Sequence, residues 1–238
     1  VASEFRYRDP FIDDKTLFIA ISQSGETLDT LAALREAKRK GARVLSVVNV
    51  VGSSVARESD DVFYTWAGPE IAVASTKAYT TQLMCMYLIG LHMGYEKGTI
   101  TRAYYDKFIA DLKEIPDLLK VCLGSKGYIE GLSKLLYNKE QVFFIGRGLD
   151  SAVSYEGSLK LKEISYINSF AIAAGELKHG TIALIDEGQP VIALCCNNKI
   201  WEKTANNIVE VKTRGAQVLA LASKGNRAVL SQADDVIF

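Results

Sequence analysis

The sequence predicts an α/β protein made of two similar doubly wound units, each with a parallel sheet between two layers of helices. Short apolar runs alternate with amphipathic segments along the chain of 238 residues. Strands that are apolar without interruption are typical of parallel sheets covered on both faces, because neither face meets water. Three such runs near the start recur in the same order near the end. That order indicates a weak internal repeat.

The predicted elements of the first half define a unit at residues 1–100. Apolar runs predict strands at 16–22, 43–49 and 61–66. A helix is predicted from Leu28 to Lys40, because cations followed by Gly41 are a typical stop signal. Ser75 is expected to cap a long helix that runs to about Met93 and is apolar all round, hence buried.

A more polar helical stretch at 101–138 is expected to connect this unit to a second one at 139–238. Breaks in its helices are expected at Pro116 and Gly124. The strand and helix alternation then resumes. Strands are predicted at 141–146, 169–173, 190–196, 217–223 and 235–238, with one helix at 155–167 and another between the third and fourth of these strands.

The composition excludes several classes of partner. Lys plus Arg and Asp plus Glu both number 28, so the formal net charge is zero. That balance gives no electrostatic reason to expect a nucleic acid or an anionic membrane surface as a partner. The longest apolar run, at 83–91, is far shorter than the roughly 18 residues of a membrane span.

The four cysteines and two histidines lack the spacing of a zinc site, so we expect no metal and no cofactor. Free, buried thiols are the simplest expectation for the cysteines. Such thiols are typical of a reducing compartment, and no signal peptide is recognised at Val1, so we expect a cytoplasmic protein.

The segment SQSGET at 22–27 lies between a predicted strand and a predicted helix. A helix N-terminus at the carboxyl end of a parallel strand offers free backbone N–H groups and a partial positive charge. The hydroxyls of Ser22, Ser24 and Thr27 add donors without charge, and Gly25 allows close approach. The pattern favours a phosphate cradle, with simple capping of the helix by Ser24 as the alternative. The matching place in the second unit has no such hydroxyl cluster.

Three charged residues, Glu156, Lys160 and Glu163, have the spacing of one helix face. On a solvated surface they would form an ordinary ion-pair ladder, which is the alternative to a catalytic group. His179 lies in a loop-like stretch between glycines, which makes it a better catalytic candidate than His92, at the end of the apolar helix.

Four segments together resemble the isomerase region of the glucosamine-6-phosphate synthase family. They are SQSGETLDTL at 22–31, EIAVASTKAYTTQL at 70–83, YEGSLKLKEISYI at 155–167 and AAGELKHGTIALID at 173–186. The first is shared by many sugar isomerase (SIS) domains, whereas the last two are more specific. The resemblance covers essentially the whole chain. It implies two flavodoxin-like SIS domains, and an enzyme that converts fructose 6-phosphate and glutamine to glucosamine 6-phosphate and glutamate.

The resemblance also implies roles for individual residues. Those that would hold the phosphate of fructose 6-phosphate are Ser22, Gln23, Ser24 and Thr27, while Val73 and Ser75 would line the sugar site. Glu163 would move a proton between C1 and C2, Lys160 would assist near the C1 oxygen, and Glu156 would be a supporting carboxylate. His179 would open the sugar ring, reaching the site from the partner subunit of a homodimer.

Two features of the family are not found in these residues. One is an N-terminal glutaminase domain beginning with a nucleophilic cysteine, and the other is a C-terminal tail whose lysine forms a Schiff base with the sugar. We therefore interpret the chain as the isomerase region, with the first unit shortened at its N-terminal side and the second at its C-terminal side.

Two alternatives are another SIS-domain sugar-phosphate isomerase or deglycase and a sugar-phosphate-sensing SIS domain. A sensor would need the cradle but not the Glu, Lys and His set, so that set favours catalysis.

Overall fold

The computed structural model describes all 238 residues and divides into two compact units, Val1–Pro116 and Asp117–Phe238. Each unit is an α/β fold built on a parallel sheet, as the sequence predicts. No helix combines the length and the apolar character that crossing a membrane would require.

The sheet of unit 1 has three parallel strands in the order β1-β2-β3. Its elements are α1 (Ala2–Phe5), β1 (Leu17–Ser22), α2 (Leu28–Arg39), β2 (Arg43–Val48), α3 (Ser54–Glu58), β3 (Asp61–Tyr64), α4 (Lys77–Glu96) and the first part of α5 (Arg102–Leu123). These bounds agree with the predicted strands and with the predicted helices after residues 27 and 75 to within a few residues. The short helices α1 and α3 have no counterpart in the prediction.

One face of the unit 1 sheet packs against α2 and α3. Leu34 of α2 and Val55 of α3 are fully buried against Val44 and Val48 of β2. Val47 points to the other face and is also fully buried. Burying each such side chain contributes about 1.5–3 kcal/mol, which explains why an apolar run without alternation becomes a covered strand.

The sheet of unit 2 has five parallel strands in the order β5-β4-β6-β7-β8. Its elements after α5 are α6 (Lys126–Ser133), β4 (Gln141–Gly146), α7 (Leu149–Ser165), β5 (Asn168–Ala173), β6 (Pro190–Cys195), α8 (Trp201–Thr213), β7 (Gln217–Ala222) and β8 (Asp235–Ile237). Two 3₁₀ helices, Ala174–His179 and Thr181–Leu184, follow β5.

Alternate residues of β4 point to opposite faces of this sheet. Phe143 and Ile145 are fully buried in a cluster with Ile208 of α8. Phe144 belongs to a separate cluster, against which Leu161 of α7 packs. The helices α7 and α8 therefore cover opposite faces, which gives unit 2 the three layers that the sequence predicts.

The internal repeat is visible in an aspartate that makes the same two contacts in both units, one with a backbone N–H and one with a lysine. In unit 1 the Asp60 carboxylate accepts a hydrogen bond from the backbone N–H of Val44 at 2.7 Å and pairs with Lys38 at 2.8 Å. In unit 2 the Asp234 carboxylate accepts from the N–H of Val218 at 2.8 Å and pairs with Lys212. In both units these contacts connect the end of a helix to the two strands that follow it.

Two expectations about helix limits are wrong. Pro116 does not interrupt α5, which runs through it to Leu123, although Gly124 does lie outside the helix. Pro116 is exposed, so water can solvate the carbonyl that its missing N–H leaves free. The other helix, α7, begins at Leu149 rather than Tyr155, and the hydroxyl of the buried Ser154 in the added turns is satisfied by donating to the carbonyl of Asp150.

The cysteines also differ from the expectation that they are buried. Cys85 and Cys195 are buried, but Cys122 and Cys196 are exposed. All four are free thiols. Cys122 is exposed because it lies near the end of α5, in the part of this helix that carries exposed apolar side chains.

Candidate active site

The loop between β1 and α2 presents two hydroxyls as hydrogen-bond donors. Ser22 Oγ accepts a hydrogen bond from the N–H of Gly25 at 3.0 Å, and Ser24 Oγ accepts from the N–H of Glu26 at 3.2 Å. Since these bonds occupy acceptor positions of both oxygens, each O–H proton stays free to donate. Both serines can therefore donate to an acceptor-rich ligand such as a phosphate.

Gly25 is required at the centre of this loop. Its φ is +68°, a left-handed conformation that glycine adopts readily. A Cβ at this position would lie 2.1 Å from the Oγ of Ser53, a buried residue whose hydroxyl has no hydrogen-bond partner. The loop therefore lies directly on Ser53, and its Gly25 carbonyl accepts from the N–H of Val55 at 2.9 Å.

The N-terminus of α2 is uncapped by its own side chains. Thr27 occupies the N-cap position but makes no side-chain cap bond, and it is exposed. The Glu26 carboxylate turns away to accept from the N–H of Ser54 at 2.8 Å, and hydrogen bonds from Ser54 lower the pKa of this carboxyl. The first N–H groups of α2 thus remain available to an anion, where the partial positive charge of the helix favours it.

In unit 2 a side chain of the protein occupies the place that corresponds to this loop. The buried carboxylate of Asp150, in the first turn of α7, accepts from the N–H of Asn197 at 3.0 Å. Asn197 follows β6, the strand that corresponds to β1 in the repeat. A negatively charged carboxylate at this place would repel a phosphate.

The segment between β3 and α4 carries the two residues expected near the sugar. Ser75 donates to the carboxylate of Glu70 and accepts from the N–H of Ala78 at 3.1 Å, so it caps α4 as predicted. Hydrogen bonds from Ser75 and Ala72 lower the pKa of Glu70. Val73 is almost fully exposed, and its carbonyl accepts from the N–H of Ser75 at 3.0 Å.

The structure brings the three charged residues of α7 together. Lys160 Nζ lies 2.5 Å from Glu163 Oε2 and 3.7 Å from Glu156 Oε1. All three side chains are less than one-third exposed, so they do not form a fully solvated ladder. The hydrogen bond from Lys160 to Glu163 is the main cause that raises the pKa of Lys160. A protonated Lys160 can stabilise a negative charge on an oxygen but cannot act as a nucleophile.

His179 does not join this group within one chain. It is exposed at the end of a 3₁₀ helix whose Leu177 packs in the cluster on the α8 face of the sheet. The helix of Glu163 covers the face of the sheet opposite the cluster that holds Leu177. The His179 side chain makes no hydrogen bond or ion pair in the structure.

Three polar residues of unit 1 that the structure ties into its loops have no place in the sequence prediction: Asn49, Ser53 and Glu70. Asn49 is the first polar residue after an apolar strand, at the edge of the sheet where ligands of such folds bind, and this position is the signal that could have found it. Nothing in the sequence pairs Ser53 with Gly25, because their contact depends on the packing of α3.

Comparison with known proteins identifies the class of domain to which this parallel α/β fold with an uncapped, hydroxyl-rich loop belongs. The family model described as SIS domain matches residues 1–91 and 135–238, so the chain belongs to the SIS domain family.

Among curated relatives, proteins named glutamine–fructose-6-phosphate aminotransferase [isomerizing] are 57% identical in Caldanaerobacter subterraneus and 55% identical in Clostridium tetani, over the whole chain. The chain spans 39% of the length of each.

Solved structures agree with this relationship. The C-terminal domain of glucosamine-fructose-6-phosphate aminotransferase from Francisella tularensis superposes with a TM-score of 0.94 at 42% identity, covering 99% of this chain and 67% of that one. A glucosamine-6-phosphate deaminase from Thermotoga maritima, at 23% identity and a TM-score of 0.73, shares the fold alone. The chain thus corresponds to the SIS portion of its aminotransferase relatives.

Proposed function

We propose that this chain is the sugar-isomerising part of a glutamine–fructose-6-phosphate aminotransferase, which makes glucosamine 6-phosphate and glutamate. The observation that carries the proposal is the face of α7 on which Lys160 bridges Glu156 and Glu163. A sugar-phosphate sensor would have no use for carboxylates around a protonated amine. The name shared by relatives that are 55% and 57% identical to this chain supports the same function.

In this proposal the substrate phosphate binds to the loop after β1. The donors are the hydroxyls of Ser22, Ser24 and Thr27, the side chain of Gln23, and the free N–H groups of α2. Val73, through its backbone, and Ser75 line the sugar. Ser75 already donates to Glu70, which leaves it a lone pair to accept from a sugar hydroxyl. Such remote binding energy holds the reacting carbons in position.

The proton transfer is assigned to Glu163. Ammonia adds to C2 of the open-chain sugar, and the C2 oxygen leaves as water. The product is an imine at C2. The Glu163 carboxylate then removes a proton from C1 and returns it to C2, while the proton of the C1 hydroxyl passes to the nitrogen. C1 thereby becomes an aldehyde and C2 carries an amine, so the ketose skeleton becomes an aldose. The ammonium group of Lys160 stabilises charge that develops near the C1 oxygen, and Glu156 keeps Lys160 in place.

The phosphate assignment is tested by Thr27→Ala. The assay uses a chimera in which this chain replaces the matching segment of the Caldanaerobacter enzyme. Since a hydrogen bond to a charged group contributes about 1.5–3 kcal/mol, the KM for fructose 6-phosphate should rise by roughly tenfold or more. Thr213→Ala is the matched control, because the Thr213 hydroxyl bonds only the carbonyl of Val209 in its own helix. An unchanged KM in Thr27→Ala would refute the assignment.

A homodimer in which His179 completes the site of the partner subunit is part of the proposal. The support is that within one chain His179 makes no hydrogen bond or ion pair with Glu163 or Lys160, although ring opening and proton transfer act on the same sugar. An exposed imidazole without an internal partner is available to a second subunit, and an imidazole can act as both acid and base, which ring opening requires.

Complementation tests the shared site. Chimeras carrying Glu163→Gln and His179→Ala are each expected to be inactive, because each loses one essential group from every site. After subunit exchange, a mixed dimer contains one site with both groups intact, so up to half of the activity per mixed dimer should return. Mixed dimers that form but stay inactive would refute the sharing.

We also propose that the chain works in the cytoplasm beside a glutaminase domain of the same polypeptide. Four free thiols are typical of a reducing compartment, and phosphorylated sugars do not cross membranes freely. The greater length of the relatives leaves room for the domain that releases ammonia. The SIS matches support the two SIS units at 1–100 and 139–238, joined by 101–138.

A further inference from the structure

Asn49 connects two loops that the proposed function assigns to different parts of the substrate. It follows β2 directly, and its backbone N–H donates to the carbonyl of Gln23 at 3.1 Å. Its side chain faces the segment that follows β3. One residue thus touches both the loop that holds the phosphate and the segment that leads to Val73 and Ser75.

The side chain of Asn49 uses both of its polar atoms on that segment. Oδ1 accepts from the hydroxyl of Thr65 and from the N–H of Ala67, both at 2.9 Å. Nδ2 donates to the carbonyl of Gly68 at 2.8 Å. A planar amide with one acceptor and one donor atom fits this turn, whereas a carboxylate would place a second oxygen against the Gly68 carbonyl.

The turn that Asn49 holds is strained. Trp66 has φ of +52°, whereas Gly68, at +72°, adopts its left-handed conformation readily. A left-handed conformation is costly for a residue with a bulky side chain, and Trp66 is mostly exposed, so packing does little to impose it. A strained conformation persists where its surroundings impose it, and here the hydrogen bonds of Asn49 do so.

We propose that Asn49 is a positioning residue that sets the place of the Val73–Ser75 segment relative to the phosphate cradle. It does not touch the substrate. It holds the turn at 65–68, from which the chain continues to Glu70 and Ser75. This inference rests on the proposed function, since it concerns the fit of a sugar phosphate to that site.

The test compares Asn49→Ala and Asn49→Asp with the wild-type chain by hydrogen exchange and ligand titration. Asn49→Ala removes all three side-chain bonds, whereas Asn49→Asp keeps the two acceptor bonds and loses the donor. Asn138→Ala is the matched control, because Asn138 is exposed and its side chain makes no hydrogen bond. Exchange at 65–76 should rise strongly in Asn49→Ala, less in Asn49→Asp and not in the control.

Titrations with fructose 6-phosphate and inorganic phosphate separate positioning from general damage. Affinity for fructose 6-phosphate should fall about tenfold in Asn49→Ala, equivalent to about 1.4 kcal/mol. Inorganic phosphate, which reaches only the cradle, should bind within about twofold of wild type, because the backbone bond of residue 49 remains. In Thr27→Ala both affinities should fall together.

Two results would overturn the inference: unchanged exchange at 65–76 in Asn49→Ala, or losses of equal size for the two ligands. A wild-type chain that binds neither ligand would instead contradict the proposed function, and the exchange measurement would still test the role of Asn49 in holding the segment. Asn49→Asp is isosteric, so it keeps the test valid if Asn49→Ala does not fold.

Discussion

Replacing Gly25 by alanine should destabilise unit 1 far more than replacing Gly52 by alanine, although both glycines have a left-handed backbone conformation. Their φ values are +68° and +72°. A Cβ at Gly25 would lie 2.1 Å from Oγ and 2.6 Å from Cβ of Ser53, whereas a Cβ at Gly52 would meet nothing within 4 Å. The conformational cost is therefore common to both variants, and the collision belongs to Gly25 alone.

The two contributions can be given magnitudes. The left-handed conformation costs roughly 1–2 kcal/mol for a residue with a Cβ, which is the whole effect expected in Gly52→Ala. Overpacking adds typically about 1–3 kcal/mol, so Gly25→Ala should lose about 2–5 kcal/mol. Ser53 is only 2% exposed and immediately precedes α3, so its side chain cannot swing into solvent.

Urea unfolding followed by circular dichroism measures both losses. Ser53→Gly in the Gly25→Ala background removes the collision but keeps the conformational cost. The double-mutant cycle should therefore give a coupling energy of about 1–3 kcal/mol in favour of the pair. Equal losses in Gly25→Ala and Gly52→Ala would refute the contact between the cradle and Ser53.

Three further predictions follow from the charges and thiols. Lys160→Met should cost stability that is fully present below about pH 10.4 and is lost as pH rises further, because the pKa of Lys160 is raised in the fold; unfolding from pH 7 to 11 measures it. Asp60→Asn and Asp234→Asn should each cost about 1 kcal/mol at pH 7, after allowance for their exposure. Both losses should vanish as pH falls below about 3.9, because both aspartates have lowered pKa values. Ellman's reagent should modify Cys122 first and Cys195 last, since burial raises the pKa of the Cys195 thiol to about 12.

The strands were predictable from sequence because a covered strand carries its signal locally. QVFFIG at 141–146 is continuous and apolar, and the structure gives β4 the same limits. The Glu156–Lys160–Glu163 face was also predictable, because helix geometry alone brings residues at these spacings together. Its shielding from water was not, since that depends on how α7 packs.

Features that depend on contacts between residues far apart in the sequence could not be predicted from it. The 3₁₀ helix that ends at His179 packs its Leu177 on the face opposite α7, and this depends on the strand order β5-β4-β6, which no local pattern specifies. In the sequence Asn49 is an ordinary residue at the end of a strand, and only the structure shows that it bonds the turn at 65–68. The rule that proline ends a helix predicts a break at Pro116. That rule holds where the backbone is covered, whereas this part of α5 is open to water.

The central claim is that Glu163 carries the proton between C1 and C2, and its replacement by glutamine tests it most directly. Glutamine keeps the shape and a hydrogen-bond acceptor for Lys160 but cannot accept a proton at neutral pH. General base catalysis contributes typically about 10²–10⁴-fold. In the chimera, Glu163→Gln should lower kcat for glucosamine 6-phosphate formation by at least about a hundredfold, with affinity for fructose 6-phosphate within a few-fold of wild type. Glu130→Gln, on the exposed surface of α6, should leave both unchanged. A Glu163→Gln enzyme that turns over at the wild-type rate would contradict the account.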